Sequence, residues 1–563
     1  MIGALKQIRR CLTTSSTPFS RKTINREELF SVTTERWLCN EEIERAIRYV
    51  AFDVDAFLDV ATKAAGAREC ISFDKLQDGS MNRAFSLRFD NSVEFIAKIP
   101  YPVVGPTHYC TASEVATLDY LRTEQGLPVP HVRAWCSRAE ETPVGAEYIM
   151  YDKIQGIPLY SFDKTTIPLE DDPYLNVLGL VRRIQSRLAR TWFSCIGNIY
   201  YKEDVSEALR AQPLYHPDSF IRPSGNCSRF CIGPTIDREF WRGGRASLNI
   251  DRGPWPDFHS YMLALAACAR AFIVSLEDTK FRRTYEAIIS DFERLAPNLL
   301  PLDPRFILWH PDLHASNIIV DEKSEIHELR GVIDWQGATI LPSYMQVEVP
   351  PAFVTEPHPL VVVTDDGPDL TQDSAALEGV QPRDVEQALR RAWRQWAHER
   401  IMRDEDKHIV REMYDVEGVV KRALSGPARA ITRGDAEGLA TIRSSFLTAK
   451  QAWRFKVGAD EQGIPLQSFP LTISDAEAEQ IESEAGDCVR ERTMWDDRLQ
   501  NLGIVPDTDG MVGAARYDET KQAVENLRQT ALAAATSQEE KDLIARTWPL
   551  QEGKPSLLAE SCY

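Results

Sequence analysis

The chain has 563 residues, 43% of them hydrophobic and 26% charged, with a formal charge of −19; this is the composition of an ordinary globular protein with core enough for two or three domains. The acidic balance disfavours nucleic acid and anionic membrane surfaces as partners, and the longest apolar run, residues 261–274, is broken by Arg270 and too short to span a bilayer. The 11 cysteines include one close pair, Cys227 and Cys231, with no second pair at zinc spacing, so free thiols of a reducing compartment are expected.

The first 26 residues carry Lys6, Arg9, Arg10, Arg21, Lys22 and Arg26 and no acid, with hydroxyl residues from Thr13 to Thr17 and an amphipathic start over 1–12. Arg-rich, hydroxyl-rich and acid-poor describes a mitochondrial presequence. Residues 1–30 are therefore expected to be disordered or removed, with the mitochondrial matrix as destination; a plain basic tail has the same composition. Residues 31–70 read as an N-terminal helical extension.

Two alternating strands, Ile71 to Leu76 and Ala84 to Phe89, flank a turn in which the amides of Gly79 and Ser80 could approach phosphates, although an ordinary turn uses the same residues. The next strand, Val93 to Pro100, sets Lys98 among apolar residues, where an ammonium is costly unless it faces an anion; Lys98 is the candidate phosphate lysine. Thr111 to Arg122 predicts a capped helix with apolar residues at 115, 118 and 121 and Glu114 on its first turn, a place the helix dipole alone would favour. Glu147 to Asp152 reads as the last strand of a small lobe over 71–152.

The remainder, 153–563, predicts a mainly helical large lobe. Apolar spacing gives a helix over 173–193, a short strand follows at Gly197–Tyr201, and 213–256, dense in Gly, Pro and Arg, reads as an ordered insertion able to lie over a cleft. Its Arg238, Arg242 and Arg245 around Phe240 and Trp241 either pack the loop or take an anion. Helices fill 258–300.

The segment 308–321, LWHPDLHASNIIVD, carries the chemistry. Phe306 to Trp309 predicts a buried strand ending at His310, Asn317 to Val320 begins a return strand, and His310, Asp312 and Asn317 fall on the loop between. Phosphoryl transfer needs a carboxylate to accept or orient the acceptor hydroxyl, and oxygen ligands for the Mg²⁺ that neutralises the phosphates. Asp312 suits the first role, Asn317 and Asp334 the second, and His310 would brace the loop by hydrogen bonding. Each Asp alone could merely cap a turn; the joint spacing H-x-D-x4-N followed by apolar-apolar-Asp is that of a kinase loop. Beyond it, helical spacing at Val385, Leu389, Trp393 and Trp396, again at Val524, Leu527 and Ala531, and a Ser537/Glu540 capping box predict C-terminal helices packed on the large lobe; 507–510 reads as a turn.

This loop resembles the catalytic motif of the aminoglycoside phosphotransferase family, usually HGDLHxGN, with Pro311 and Ser316 at the two glycine positions. Glu114, Leu118, Leu121 and the turn Gly126–Pro130 match the same family's pattern, and the chain as a whole resembles its fungal mitochondrial subgroup, named for altered inheritance of mitochondria. The resemblance implies an α+β, bilobal protein-kinase-like fold with a small antiparallel-sheet lobe, ATP and Mg²⁺ as cofactors, a Lys98–Glu114 pair, a hinge at Met150 to Asp152 whose main chain meets adenine, an acceptor site beginning within 346–382, and a small-molecule hydroxyl as acceptor. Two alternatives stay open: a nucleotide-binding pseudokinase without turnover, and a protein kinase, against which stand Pro311 in place of the H-R-D arginine, the missing G-x-G-x-x-G and the missing A-P-E.

Overall fold

The computed structural model describes residues 25–162, 171–220, 225–242, 244–274, 278–299, 305–323, 328–355, 358–371, 382–405, 407–413, 415–433, 436–504 and 510–553. Most of the expected presequence and most of the 507–510 turn lie outside the described residues.

The chain enters through α1 (Arg26–Phe30), β1 (Glu35–Trp37), α2 (Glu41–Ala46) and α3 (Val54–Ala64), so the extension contains a strand as well as the expected helices. The small lobe is an antiparallel sheet of β2 (Cys70–Lys75), β3 (Asn82–Phe89), β4 (Glu94–Pro100), β5 (Val132–Cys136) and β6 (Tyr148–Asp152), in the order β2-β3-β4-β6-β5. Two-residue alternation sorts its faces. Phe85, Leu87 and Phe89 on β3 and Phe95, Ala97 and Ile99 on β4 are buried against Phe57 and Leu58 of α3, each aromatic contributing about 1.5–3 kcal/mol of burial. Lys98, between Ala97 and Ile99, is thereby turned to the opposite face.

On that face lies α4 (Tyr109–Thr123). It begins two residues before Thr111 and has no side-chain cap, and Cys110 through Leu118 are buried without interruption. The expected capped amphipathic helix is instead a helix buried on nearly every side, because the large lobe covers the face that solvent would have taken, and Glu114 sits on its second turn.

The large lobe contains β7 (Ile157–Pro158), α5 (Pro173–Ala189), β8 (Asn198–Tyr201), β9 (Phe230–Gly233), α6 (Phe258–Ile273), α7 (Thr279–Leu299), β10 (Phe306–Leu308), β11 (Ile318–Val320), β12 (Leu329–Val332), β13 (Ile340–Pro342), β14 (Val361–Thr364), β15 (Gly367–Leu370), α8 (Pro382–Glu405), α9 (Lys407–Met413), α10 (Val416–Ala430), α11 (Ala436–Val457) and α12 (Asp475–Thr493). Asp172 caps α5 and Asp257 caps α6, each accepting a backbone N–H. The insertion is structured: β9 pairs with β8, Phe230, Ile232, Phe240 and Trp255 join the main core, and Arg252 lies 4.0 Å over the Trp241 ring. Its aromatic and arginine residues pack the lobe.

The C-terminal expectation needs correction. After α13 (Asp496–Asn501), β16 (Met511–Gly513), α14 (Tyr517–Ala534) and α15 (Gln538–Thr547) build a separate apolar cluster around Trp495 and Trp548. β16 pairs antiparallel with β1, Glu35 opposite Gly513, so the chain's end returns to its beginning instead of joining the large lobe. The Ser537/Glu540 capping box is formed.

Candidate active site

Lys98 is the centre of the cleft between the lobes. Its Nζ lies 2.9 and 3.0 Å from the two Glu114 oxygens and 3.1 Å from Oδ1 of Asp334, with Lys98 and Glu114 both buried. Burial alone would lower the Lys98 pKa, but the two carboxylates outweigh it and hold the ammonium charged. Asp334 feels burial pulling its pKa up and Lys98 pulling it down; the lysine prevails, and the carboxyl stays below its usual range. Asp334 also takes a left-handed φ of 62° immediately beyond β12, a conformation Asp tolerates better than most residues.

The loop between β10 and β11 links two sheets. β10 pairs with β13, whereas β11 pairs with β12 and β7, so the return strand does not fold back on the strand it leaves; the residues between must bridge two layers. His310 holds them. The Asp312 N–H donates to its Nδ1 at 3.1 Å, which leaves the proton on Nε2 to be donated to the Ile333 carbonyl at 3.0 Å. Burial pushes the ring's pKa down to about 4, and it packs edge-on against Trp335. Asn317 donates from Nδ2 to the Asp312 carbonyl at 2.9 Å, while its own carbonyl accepts from Ile333 N at 3.0 Å. The stretch just before Asp334 is thus bound to the loop carrying Asp312.

His314 is a group the sequence reading did not single out. Its Nδ1 accepts from Ser316 N at 3.2 Å, so Nε2 carries the proton and stands 3.1 Å from Oδ2 of the half-exposed Asp312 carboxylate. The signal was present as the second histidine of the loop, two residues past the aspartate.

Asn317 Nδ2 is occupied, which leaves its Oδ1 as a candidate oxygen ligand on a residue whose main-chain carbonyl is bound to Ile333 N, next to Asp334 in the chain. Among the described residues no group of three His, Cys, Asp or Glu could hold a metal. A donor set of one carboxylate and one amide oxygen suits a hard cation that also takes phosphate oxygens, which is how Mg²⁺ is usually held, and does not suit a soft-metal cage.

The nucleotide-side candidates are rearranged. Gly79 does not need a glycine's backbone: its φ is not positive, and a Cβ there would meet Asn82 O at an ordinary 3.4 Å. Ser80 presents its carbonyl to Arg48 Nε at 3.2 Å. The loop is held by Asp78, which accepts from Thr33 N at 2.8 Å, Thr34 N at 3.1 Å and Lys75 Nζ at 2.9 Å, and Asn82 reaches across the cleft to Gln336 Oε1 at 2.6 Å. The Met150 side chain is fully buried in the small-lobe core, and Asp152 is paired with both Arg133 Nε at 2.8 Å and its terminal nitrogen at 2.6 Å. β6 is an interior strand with β4 and β5 on either side, and Lys153 N just beyond it donates to the Glu94 carbonyl at 3.0 Å.

A cavity of about 860 Å³ opens beside the loop, with His314 and Ser316 on one wall and Tyr174, Thr355, Asp384 and Arg391 among its other residues; no described insertion residue lines it. Among the described residues no helix is long and apolar enough to cross a membrane.

Residues 245–344 match the phosphotransferase enzyme family. The chain is 32% identical over 325 residues to a subtelomeric hrmA-associated cluster protein of Aspergillus fumigatus, covering 50% of this chain and 60% of that protein. It is 26% identical over 454 residues to altered inheritance of mitochondria protein 9, mitochondrial, of Saccharomyces cerevisiae, covering 72% of this chain and 68% of that one. The chain therefore spans about 60% of the length of the Aspergillus relative. Solved structures similar to it include aminoglycoside phosphotransferase APH(4)-Ia, at 12% identity and TM-score 0.35 over 72% of this chain and 100% of that one. The GDP complex of wild-type aminoglycoside 2'-phosphotransferase-IIIa follows at 14% and 0.30 over 70% and 97%.

Proposed function

We propose that this chain, whose residues 245–344 match the phosphotransferase enzyme family, transfers the γ-phosphoryl group of ATP to a hydroxyl of a small molecule, and does so in mitochondria, in the matrix. One observation carries the reading: Lys98, Glu114 and Asp334 converge within 3.1 Å beside the loop that presents Asp312.

Lys98, fixed by Glu114, offers its ammonium to the phosphates. Mg²⁺, when bound through Asp334 and Asn317, supplies neutralisation of the phosphate charge. Asp312 faces the acceptor: as the acceptor oxygen bonds to the γ-phosphorus and the bond to the ADP oxygen breaks, the hydroxyl proton passes to its carboxylate. His314 Nε2–H orients that carboxylate. His310, neutral near pH 7 because its pKa is about 4, takes no part in proton transfer and fixes the loop backbone.

The acid-free basic start of the chain and the mitochondrial name of the yeast relative support the location. The cavity against His314 supports a metabolite-sized acceptor. The test is an untargeted screen of matrix metabolites incubated with ATP, Mg²⁺ and either the wild type or Asp312→Asn. A metabolite that gains one phosphate with the wild type alone is the expected result; no such product, or equal product with both, would refute the reading.

A further inference from the structure

We propose that the acceptor is an anionic small molecule, a carboxylated or phosphorylated polyol, held by Arg391. This rests on the phosphotransferase reading above and names the substrate class of the same site.

The cavity of about 860 Å³ has the catalytic loop on one side and one face of α8 on the other, where Asp384, Gln387, Ala388, Arg391 and Arg394 recur at helical spacing. A molecule filling it touches His314, and through it lies next to Asp312. Its charged lining is two guanidiniums and one carboxylate, in a chain whose formal charge is −19. Asp384 does not neutralise Arg391, since seven residues of helix separate them by about 10 Å along the axis. Arg391 is exposed and has no hydrogen bond or ion pair among the described residues. Arg394 is fixed in place: its Nε donates to the buried Asp172 at 2.9 Å, and its guanidinium lies 3.4 Å over the Tyr174 ring. One cation therefore stiffens the wall while the other remains available, and a planar guanidinium with free donors matches carboxylate or phosphate in a two-pronged bond. With Arg394 already bound to Asp172, a polycationic amino sugar would still meet the uncompensated guanidinium of Arg391. The hydroxyl that accepts the γ-phosphoryl group from ATP, giving up its proton to Asp312 as ADP leaves, belongs to the end of the same molecule nearer the loop.

The test uses the full chain with its nucleotide site saturated by a non-hydrolysable ATP analogue. Gluconate, glycerol 3-phosphate, glucose and glucosamine are each titrated calorimetrically into the wild type, Arg391→Ala, Arg391→Glu and Arg391→Lys. At least one anionic probe should bind, weaken about tenfold or more in Arg391→Ala, weaken further in Arg391→Glu and recover in part in Arg391→Lys, with unchanged melting temperatures excluding misfolding. Preference for glucose or glucosamine, anion affinity indifferent to Arg391, or no binding by either anion would overturn the proposal. The phosphotransferase reading is judged on a different quantity, Asp312-dependent ATP turnover, so failure of one is distinguishable from failure of the other.

Discussion

Lys98 and Asp334, 236 positions apart in the chain, meet at 3.1 Å and close the cleft from opposite lobes. Glu114 shares the same ammonium from a buried position, so the lysine holds two carboxylates that would otherwise repel each other. Replacing Lys98 by Met removes that mediator and leaves Glu114 buried without a partner, a loss of about 3–5 kcal/mol. Thermal or urea unfolding should show it, and the double variant Lys98→Met/Glu114→Leu should recover much of the stability while remaining inactive.

His310 gives the fold an acid-sensitive point. Its pKa is about 4 when folded against an ordinary 6.5, so the folded state binds its proton less readily than the unfolded chain. Its stabilising contribution is complete above pH 6.5 and is lost as pH falls from there to 4, at up to about 1.4 kcal/mol per pH unit. His398, buried and also near 4, acts in the same direction. Unfolding free energy measured from pH 7 to 4 should therefore fall less steeply in His310→Asn than in the wild type, keeping the slope due to His398.

His314 is predicted to position Asp312 without touching phosphate. His314→Ala frees the Asp312 carboxylate from its 3.1 Å partner, and kcat should fall about tenfold to a hundredfold at unchanged nucleotide affinity. A fall in nucleotide affinity of the same size would show that His314 belongs to the nucleotide site instead.

The loop at 76–81, expected to approach the phosphates, depends on residues near 510–553. Asp78 is bound to the Thr33 and Thr34 amides, and the strand following them is paired with β16, while Asn40 exchanges hydrogen bonds with Glu552 and Gly553 at 2.9 and 2.7 Å. Ending the chain at residue 504 should loosen residues 33–40 and the loop at 76–81 together, seen as faster amide hydrogen exchange in both and weaker nucleotide binding. Fast exchange confined to 33–40 would sever the proposed link.

What could be read from the sequence divides by physical cause. Lys98 stood out as a charge in the middle of an apolar run, where burial demands a partner, Asp312 and Asp334 by their joint spacing with His310 and Asn317, and Glu114 by the family resemblance; the structure brings Lys98, Glu114 and Asp334 into contact. Met150 and Asp152 were named as nucleotide contacts by resemblance alone, because main-chain recognition leaves no side-chain pattern, and only the strand order shows that β6 is interior. The β1–β16 pairing was invisible: three-residue strands carry no readable period, and their partners are nearly the whole chain apart. α4 was misjudged because a helix covered by both lobes has no polar face to mark.

Asp312 is proposed to serve the transfer of phosphate and not the binding of nucleotide. The direct measurement is transfer of labelled γ-phosphate from ATP to matrix metabolites by wild type and Asp312→Asn, with the nucleotide Kd of each determined on the same samples. Equal Kd values are expected, with a transfer rate lower in Asp312→Asn by about a hundredfold to ten-thousandfold. Equal transfer by both proteins, or a loss explained by weaker nucleotide binding, would contradict it.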